Sequence, residues 1–356
     1  MKQLLKAIDG RFLGHVFRRT KRNARFLQTE TTTDRLGLLW AAFSRERALP
    51  EASFLHRTEN PRFIGGTTGR SGTRWLVKLL RHQFGSRPVV MDEIGVFVLS
   101  LLRAAPYEYY QFGTDNAAAR RAAYLEYFLA QFKRYAFRRR NMYGAGMRGL
   151  VDYVPMRAID LAGRALAQDV ARLSSFEEIR QRFGEFYLHL LNYHAAIIHG
   201  ESSGWINKEP PYGRHADDLF AMVPHARLVV LARDGRASAV SMYRRRWMDS
   251  IRACMERWGT FAQMTVDALE NAPAEGVLLI RYEDLVRDFE TKLSEIHRFL
   301  SLPHPDFDSI YAAGKAGLAP DPESLDKWRS SVNNADLDWF SEHYGNLMER
   351  LGYEDR

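Results

Sequence analysis

The sequence predicts an α/β protein whose central parallel sheet is flanked by helices. Short apolar segments recur along the chain, and most are followed by a helical pattern, as in repeated strand–helix units. The first segment runs into the glycine-rich loop "GGTTGRSGT" and then into a helix, which is the P-loop-like arrangement for holding phosphate. The chain has 356 residues, 46% of them apolar, which is enough to bury such a core.

The pattern divides the chain into two parts. Residues 1–60 are charged and helical in pattern, which predicts an N-terminal accessory segment. Residues 61–356 form the predicted main domain, with a helical, aromatic insertion at 94–204 that would serve as the acceptor or lid region. The predicted strands of this domain are Arg62–Gly65, Pro88–Met91, Trp205–Asn207, Arg227–Ala232 and Val277–Arg281.

The glycine-rich loop is the first candidate anion site. The next helix is predicted to begin at Thr73 or Arg74, so the backbone N–H groups from Gly69 onward would face the concave side of the loop. Arg70 adds positive charge, while Ser71 and Thr73 add hydroxyl groups. The loop lacks the Gly-Lys-Ser/Thr ending of a nucleotide triphosphatase. Taken alone, it could also be a glycine-rich turn without a ligand.

A second candidate anion site follows the predicted strand Arg227–Ala232. The segment "RDGRASAVSMYRRR" places Arg233 at the end of the strand and Ser241 in a predicted helix, with Arg245 four residues further on the same face. Two guanidinium groups and a hydroxyl group can surround one tetrahedral dianion. Taken alone, the segment is also consistent with a surface pair of Arg233 and Asp234.

Charge and cysteine content restrict the class of protein. The net charge of +8 favours an anionic ligand, such as a nucleotide, a nucleic acid or a membrane surface. The basic N-terminus predicts a surface helix, with a peripheral membrane contact as the alternative. No stretch approaches the ~20 apolar residues of a membrane span. The single cysteine, Cys254, excludes an intrachain disulfide, and we therefore expect a cytoplasmic protein.

Four motifs follow one another along the chain. They are "GRSGTRW", "RDGRASAVSMY", "VLLIRYEDLVRDFETKLSEIHRFLSLP" and the stretch from "LDKWRSSV" to "LMERLGYE". In this order they resemble the sulfotransferases that use 3′-phosphoadenylyl sulfate (PAPS), over about Pro61 to Tyr353. "RDGRAS" and "WINKEP" are most similar to the tyrosylprotein and carbohydrate sulfotransferases. The resemblance implies a P-loop-like sulfotransferase architecture with a helical insertion.

The resemblance also implies roles for individual residues. PAPS would be the sulfuryl donor, adenosine 3′,5′-bisphosphate (PAP) the product, a hydroxyl-bearing molecule the acceptor, and no metal would be required. The donor would be held by Arg70, Ser71, Gly72, Thr73 and Arg74 at the 5′ phosphosulfate, by Arg233, Ser241 and Arg245 at the 3′ phosphate, by Tyr282 at the adenosine and by Lys327 over the nucleotide. Catalytic roles fall to Glu93 as general base, to Lys208 at the sulfuryl group and to Arg70; Asp92 is the competing base.

Two segments depart from the family pattern. Arg74 stands where the family has a second hydroxyl residue, and "GKAGLAPDPESLDKW" replaces the usual nucleotide-covering loop. The reaction that the resemblance implies is an in-line displacement governed by positioning and electrostatics. Because a sulfuryl group is less negative than a phosphoryl group, no metal ion is required to neutralise it.

Two other functions are consistent with parts of the sequence. A magnesium-dependent nucleotide kinase or other phosphotransferase would need a Walker lysine and metal-binding carboxylates, and neither appears in the required order in the sequence. A non-catalytic protein that binds nucleic acid or a membrane surface would need only the basic charge. The four ordered motifs favour the sulfotransferase over both alternatives. We therefore expect no nucleic-acid partner. The acceptor (glycan, lipid, metabolite or tyrosine) and the oligomeric state stay open.

Overall fold

The computed structural model describes residues 60–84, 89–92, 129, 163–164, 166, 168, 176–199, 204–313 and 317–353. The predicted accessory segment 1–60, apart from its last residue, lies outside these ranges, as does most of the predicted insertion at 94–204.

Five parallel strands form the described sheet. Their bounds are β1 (Arg62–Gly66), β2 (Val89–Asp92), β3 (Trp205–Lys208), β4 (Arg227–Ala232) and β5 (Val277–Arg281). The strand order is β2-β3-β1-β4-β5, so β1 lies in the centre with β3 and β4 as its neighbours. The predicted class is confirmed, and every strand lies within one residue of its predicted bounds.

The helices lie between and after the strands. Those that the structure describes are α1 (Thr73–Phe84), α2 (Phe176–His199), α3 (Ala216–Met222), α4 (Gly235–Arg244), α5 (Ile251–Glu270), α6 (Tyr282–Arg287), α7 (Phe289–Phe299), α8 (Phe307–Ala312) and α9 (Asn334–Arg350). Short 3₁₀ segments occupy Pro210–His215, Ala274–Gly276, Pro322–Ser324 and Arg329–Ser331. None of these described helices combines the length and apolar character that a membrane span requires.

Alternate residues of β1 enter the cores on the two faces of the sheet. Ile64 packs in a cluster with Leu76 of α1 and Leu293 of α7. Phe63 faces the opposite side, where its ring lies 6.3 Å from that of Tyr187 and 5.5 Å from that of Trp205. Burying a side chain of this size contributes about 1.5–3 kcal/mol, so both helix layers hold the sheet firmly.

A second apolar cluster fixes α4 against α5 and α9. Met242, Trp258 and Phe340 are buried together in this cluster. The first residue of α4, Gly235, lies so close to Trp258 that an added Cβ would come within 2.7 Å of its ring. The turn between β4 and α4 therefore has a fixed position at the C-terminal edge of the sheet.

Candidate functional site

The loop between β1 and α1 is held at the C-terminal edge of the sheet. The N–H group of Thr67 donates to the carbonyl of Leu231 in β4 at 3.1 Å. At the other end, the N–H group of Trp75 donates to the carbonyl of Gly72 at 2.9 Å, which starts α1. Within the described chain, the N–H groups of residues 69–74 donate to no acceptor. These groups are the donors predicted for an anion.

Arg70 and Gly72 give the loop its shape through left-handed backbone conformations. Their φ angles are 83° and 96°. Glycine adopts such angles freely, whereas a residue with a Cβ is strained by on the order of 1–2 kcal/mol. Strain of this kind at a non-glycine residue indicates a functional constraint at the loop.

The structure brings the two predicted anion sites together. Nε of Arg70 donates to Oγ of Ser241 at 3.0 Å. Nη1 of Arg233 donates to the carbonyl oxygen of Arg70 at 3.2 Å. Burial lowers the pKa of Arg70, and three neighbouring guanidinium groups lower it further. These groups belong to Arg245, Arg74 and Arg233. The two strand-to-helix junctions therefore form a single cationic site.

This arginine cluster lacks negative partners in the part of the chain that the structure describes. Its side chains form no ion pair there with a carboxylate. Nε of Arg233 is buried and has no hydrogen-bond partner. Neighbouring guanidinium groups repel one another, and a buried charged donor without an acceptor is costly. A phosphate group between them would remove both penalties.

Asp234 does not neutralise Arg233. Its carboxylate accepts from the N–H group of Arg236 at 2.8 Å, which caps α4, and it pairs with the guanidinium of Arg236 at 2.8 Å. The surface pair of Arg233 and Asp234 that the sequence left open is therefore not formed. The aspartate satisfies the helix start and leaves Arg233 for a ligand.

Arg245 lies at the end of α4. The helix ends at Arg244, and Arg245 is its C-cap residue, one turn beyond Ser241. Its N–H group caps the last turn of α4. Arg246, the next residue, has a left-handed φ of 56°, which turns the chain away from the helix. Arg245, at the end of the helix, is close enough to Arg70 to lower the pKa of its guanidinium group.

Ser71 also has a local role that the sequence did not predict. Its hydroxyl donates to the carbonyl of Thr68 at 2.9 Å and is fully buried. The hydroxyl thus stabilises the loop itself, and its contact with a ligand stays a prediction. Thr73 is buried as the first residue of α1.

Tyr282 lies between the two junctions, and Trp75 packs against it. The Tyr282 ring covers Gly72, where no side chain would fit. The guanidinium carbon of Arg233 lies 4.8 Å from the centroid of the same ring. Trp75 packs edge-on to it, with centroids 5.8 Å apart, and donates from Nε1 to the carbonyl of Leu318 at 3.0 Å. The contact between Trp75 and Tyr282 was not predicted from the sequence.

Lys208 is the last residue of β3, the strand that pairs with β1. It is 1% exposed, and the register pairs it with Ile64 of β1 and Asp92 of β2. Glu93, the predicted base, lies outside the described residues, as does the side chain of Asp92. The backbone nevertheless places the end of β2 directly beside Lys208.

Lys327 is not brought to the arginine cluster. Its ammonium group lies 3.2 Å from Asp321, and both side chains are more than half exposed. The neighbouring Trp328 is buried and packs under the guanidinium of Arg236 at 4.8 Å. Trp328 therefore anchors this segment, and closure of Lys327 over a nucleotide stays a prediction.

Trp247 is a neighbour of the site that sequence reasoning missed. Its side chain is 46% exposed, and its indole lies over Gly69, where an added Cβ would come within 2.6 Å of the ring. The ring therefore lies against the loop at Gly69 and presents an apolar surface. Its place just after three arginines was the only signal in the sequence.

Comparison with known families agrees with this geometry. The sequence model of the Sulfotransferase family matches residues 61–306, which include all five strands and both junctions. The chain belongs to the sulfotransferase family. The sulfotransferase domain from the Synechococcus PCC 7002 olefin synthase shares its fold, with a TM-score of 0.50 at 21% identity. That alignment covers 85% of this chain and 98% of the domain.

The curated relatives are protein-tyrosine sulfotransferases. Protein-tyrosine sulfotransferase 1 of Danio rerio is 31% identical over 150 residues, which are 38% of this chain and 42% of the relative. Protein-tyrosine sulfotransferase A of Caenorhabditis elegans is 30% identical over 117 residues, or 31% of either chain. The chain thus spans less than half the length of these relatives.

The cytoplasmic location predicted from the sequence is wrong by this comparison, because protein-tyrosine sulfotransferases are Golgi membrane enzymes. The prediction failed because a single cysteine excludes an intrachain disulfide but says nothing about the redox state around the protein. Cys254 is buried in the cluster that fixes α4, where it acts as a small apolar side chain.

Proposed function

We propose that this sulfotransferase moves the sulfuryl group of PAPS to an acceptor hydroxyl group. The observation that carries the proposal is the hydrogen bond from Arg70 to Ser241. It joins the loop expected at the 5′ end of the nucleotide to the helix expected at its 3′ phosphate. A ligand with phosphate groups at both positions would use both junctions at once.

The residues present fit such a donor. The 5′ phosphosulfate would accept from the N–H groups of residues 69–74 and from Arg70, and the 3′ phosphate from Arg233 and Ser241. Hydrogen bonds to charged groups contribute about 1.5–3 kcal/mol each. When bound there, PAPS supplies a sulfuryl group attached to a phosphate oxygen.

We assign two further side chains to the transfer step. We expect the buried ammonium group of Lys208 to stabilise negative charge on the leaving phosphate. We expect Glu93, which follows the end of β2, to take the proton of the acceptor hydroxyl. The register of β2 and β3 pairs Asp92, the last residue of β2, with Lys208.

We propose a tyrosine side chain as the acceptor. The named relatives are protein-tyrosine sulfotransferases. The half-exposed indole of Trp247, which lies over Gly69 of the loop, offers a face on which an aromatic ring can pack. No comparison supports the kinase alternative.

The test is transfer of labelled sulfate from PAPS to a tyrosine-containing peptide, with and without EDTA. Glycan and small phenol acceptors, and ATP with magnesium as donor, serve as the comparison. We expect labelled peptide with PAPS, at a rate that EDTA does not change. Label on the glycan alone would contradict the tyrosine acceptor. Turnover of ATP with magnesium, and none with PAPS, would contradict the whole function.

Replacing Glu93 with glutamine is expected to lower turnover about 10²- to 10⁴-fold, because the amide cannot accept the acceptor's proton. Affinity for PAP, measured by calorimetry, should stay within twofold of the wild type. Full activity in Glu93→Gln would show that the base lies elsewhere. Asp92→Asn, assayed in the same way, would then identify it.

A further inference from the structure

The turn that carries Arg233 is held by a carboxylate from another part of the chain. Strand β4 ends at Ala232 and α4 begins at Gly235, so the peptide between Arg233 and Asp234 belongs to neither element. The N–H group of Asp234 donates to Oε1 of Glu283 at 3.1 Å. This bond sets the orientation of the peptide that follows Arg233.

The other oxygen of the same carboxylate is held by a tyrosine that follows α9. The hydroxyl of Tyr353 donates to Oε2 of Glu283 at 2.7 Å. The backbone N–H group of Tyr353 donates to Met348 at 2.9 Å, and the guanidinium carbon of Arg281 lies 5.6 Å from its ring. The tyrosine is 9% exposed, so it forms a fixed support.

Burial and these two hydrogen-bond donors have opposite effects on the pKa of the Glu283 carboxyl group. Burial raises the pKa of its carboxyl group, whereas the bonds from Tyr353 and Asp234 lower it. A buried carboxylate needs such donors, and losing one leaves an oxygen without a partner. Removing the Tyr353 hydroxyl would therefore loosen the carboxylate that orients Asp234.

The residue before Glu283 contacts the other junction, the loop between β1 and α1. Tyr282 covers Gly72 of the loop and carries the guanidinium of Arg233 on its ring. The start of α6 thus contacts both walls of the arginine cluster: Tyr282 through side chains and Glu283 through the backbone of the β4–α4 turn.

We propose that Glu283 and Tyr353 are positioning residues that hold the Arg233 turn in the geometry required to bind a 3′-phosphate. This inference rests on the proposed function. It assigns selectivity for the 3′-phosphate partly to a hydroxyl group that follows the last described helix.

The test compares the affinities for PAP and for adenosine 5′-monophosphate, which lacks the 3′-phosphate. In Tyr353→Phe we expect the affinity for PAP to fall about 3- to 10-fold, while that for the monophosphate changes less than twofold. Glu283→Ala should show a larger loss of the same selectivity, and Glu283→Gln, which keeps an acceptor for Asp234, should recover most of it. Calorimetry measures both ligands, and thermal unfolding shows whether each variant is folded.

Tyr344→Phe is the matched control. Tyr344 is on α9 and packs on Trp258, but within the described chain its hydroxyl forms no hydrogen bond, so we expect unchanged selectivity. If Tyr353→Phe keeps the wild-type ratio of affinities, or lowers both affinities equally, the positioning role is overturned. This holds even if Glu283→Ala does not fold. A wild-type protein that binds PAP no better than the monophosphate would contradict the proposed function instead.

Discussion

Replacing Arg70 with glycine is expected to weaken PAP binding about 10- to 100-fold and to leave the fold at least as stable. The guanidinium group that joins the loop to Ser241 disappears, and a hydrogen bond to a charged group is worth about 1.5–3 kcal/mol. Stability should not fall, since the φ of 83° at this position suits glycine. Removing one of four neighbouring guanidinium groups also relieves repulsion.

Arg246→Gly is the control for this prediction. Arg246 also has a left-handed φ, 56°, and its loss changes the net charge by the same amount. It is not among the residues that lower the pKa of Arg70, so PAP affinity should stay within twofold. Calorimetry gives the affinities and urea unfolding gives the stabilities. Equal PAP affinities in the two variants would remove Arg70 from the binding site.

Replacing Lys208 with methionine is expected to lower turnover about 10²- to 10³-fold, the usual loss when one group that stabilises transition-state charge is removed. Methionine keeps most of the volume of the buried side chain, so the core around the end of β3 should stay filled. Because the charge matters most as the bond to sulfur breaks, we expect PAP affinity to change less than fivefold.

Initial rates with labelled PAPS and calorimetry with PAP separate the two effects. Lys292→Met is the control, because Lys292 lies on α7 and pairs with Glu295 at 2.8 Å. It should keep wild-type turnover. A Lys208→Met variant that loses nucleotide affinity but keeps its turnover at saturating donor would assign Lys208 to binding rather than to the transfer step.

The sequence predicted the strands well because each is a short, mainly apolar run that ends at, or just before, a glycine or a polar residue. In β1 and β4, the apolar run and the polar residues that follow it occur together. Arg70 could therefore be assigned to the loop after β1, and Arg233 to the end of β4. Parallel strands align their C-terminal ends at one edge, which makes a shared site physically reasonable. That β1 and β4 are neighbours was visible only in the structure.

The contacts that sequence reasoning missed involve residues far apart in the chain or the exact end of a helix. Helix periodicity continues through Arg245, but the left-handed residue after it ends α4 earlier than predicted. The hydrogen bonds that Asp234 and Tyr353 donate to Glu283 link residues separated by 49 and 70 positions. No local pattern encodes such separations. They determine how firmly Arg233 is held.

A crystal structure with bound PAP tests the central claim most directly. We predict that the 3′-phosphate lies within hydrogen-bonding distance of Arg233 and Ser241. The 5′-phosphate should lie on the N–H groups of residues 69–74. A nucleotide with both phosphates at one junction, or bound away from Arg70, would contradict the claim that the two strand-to-helix junctions form one donor site.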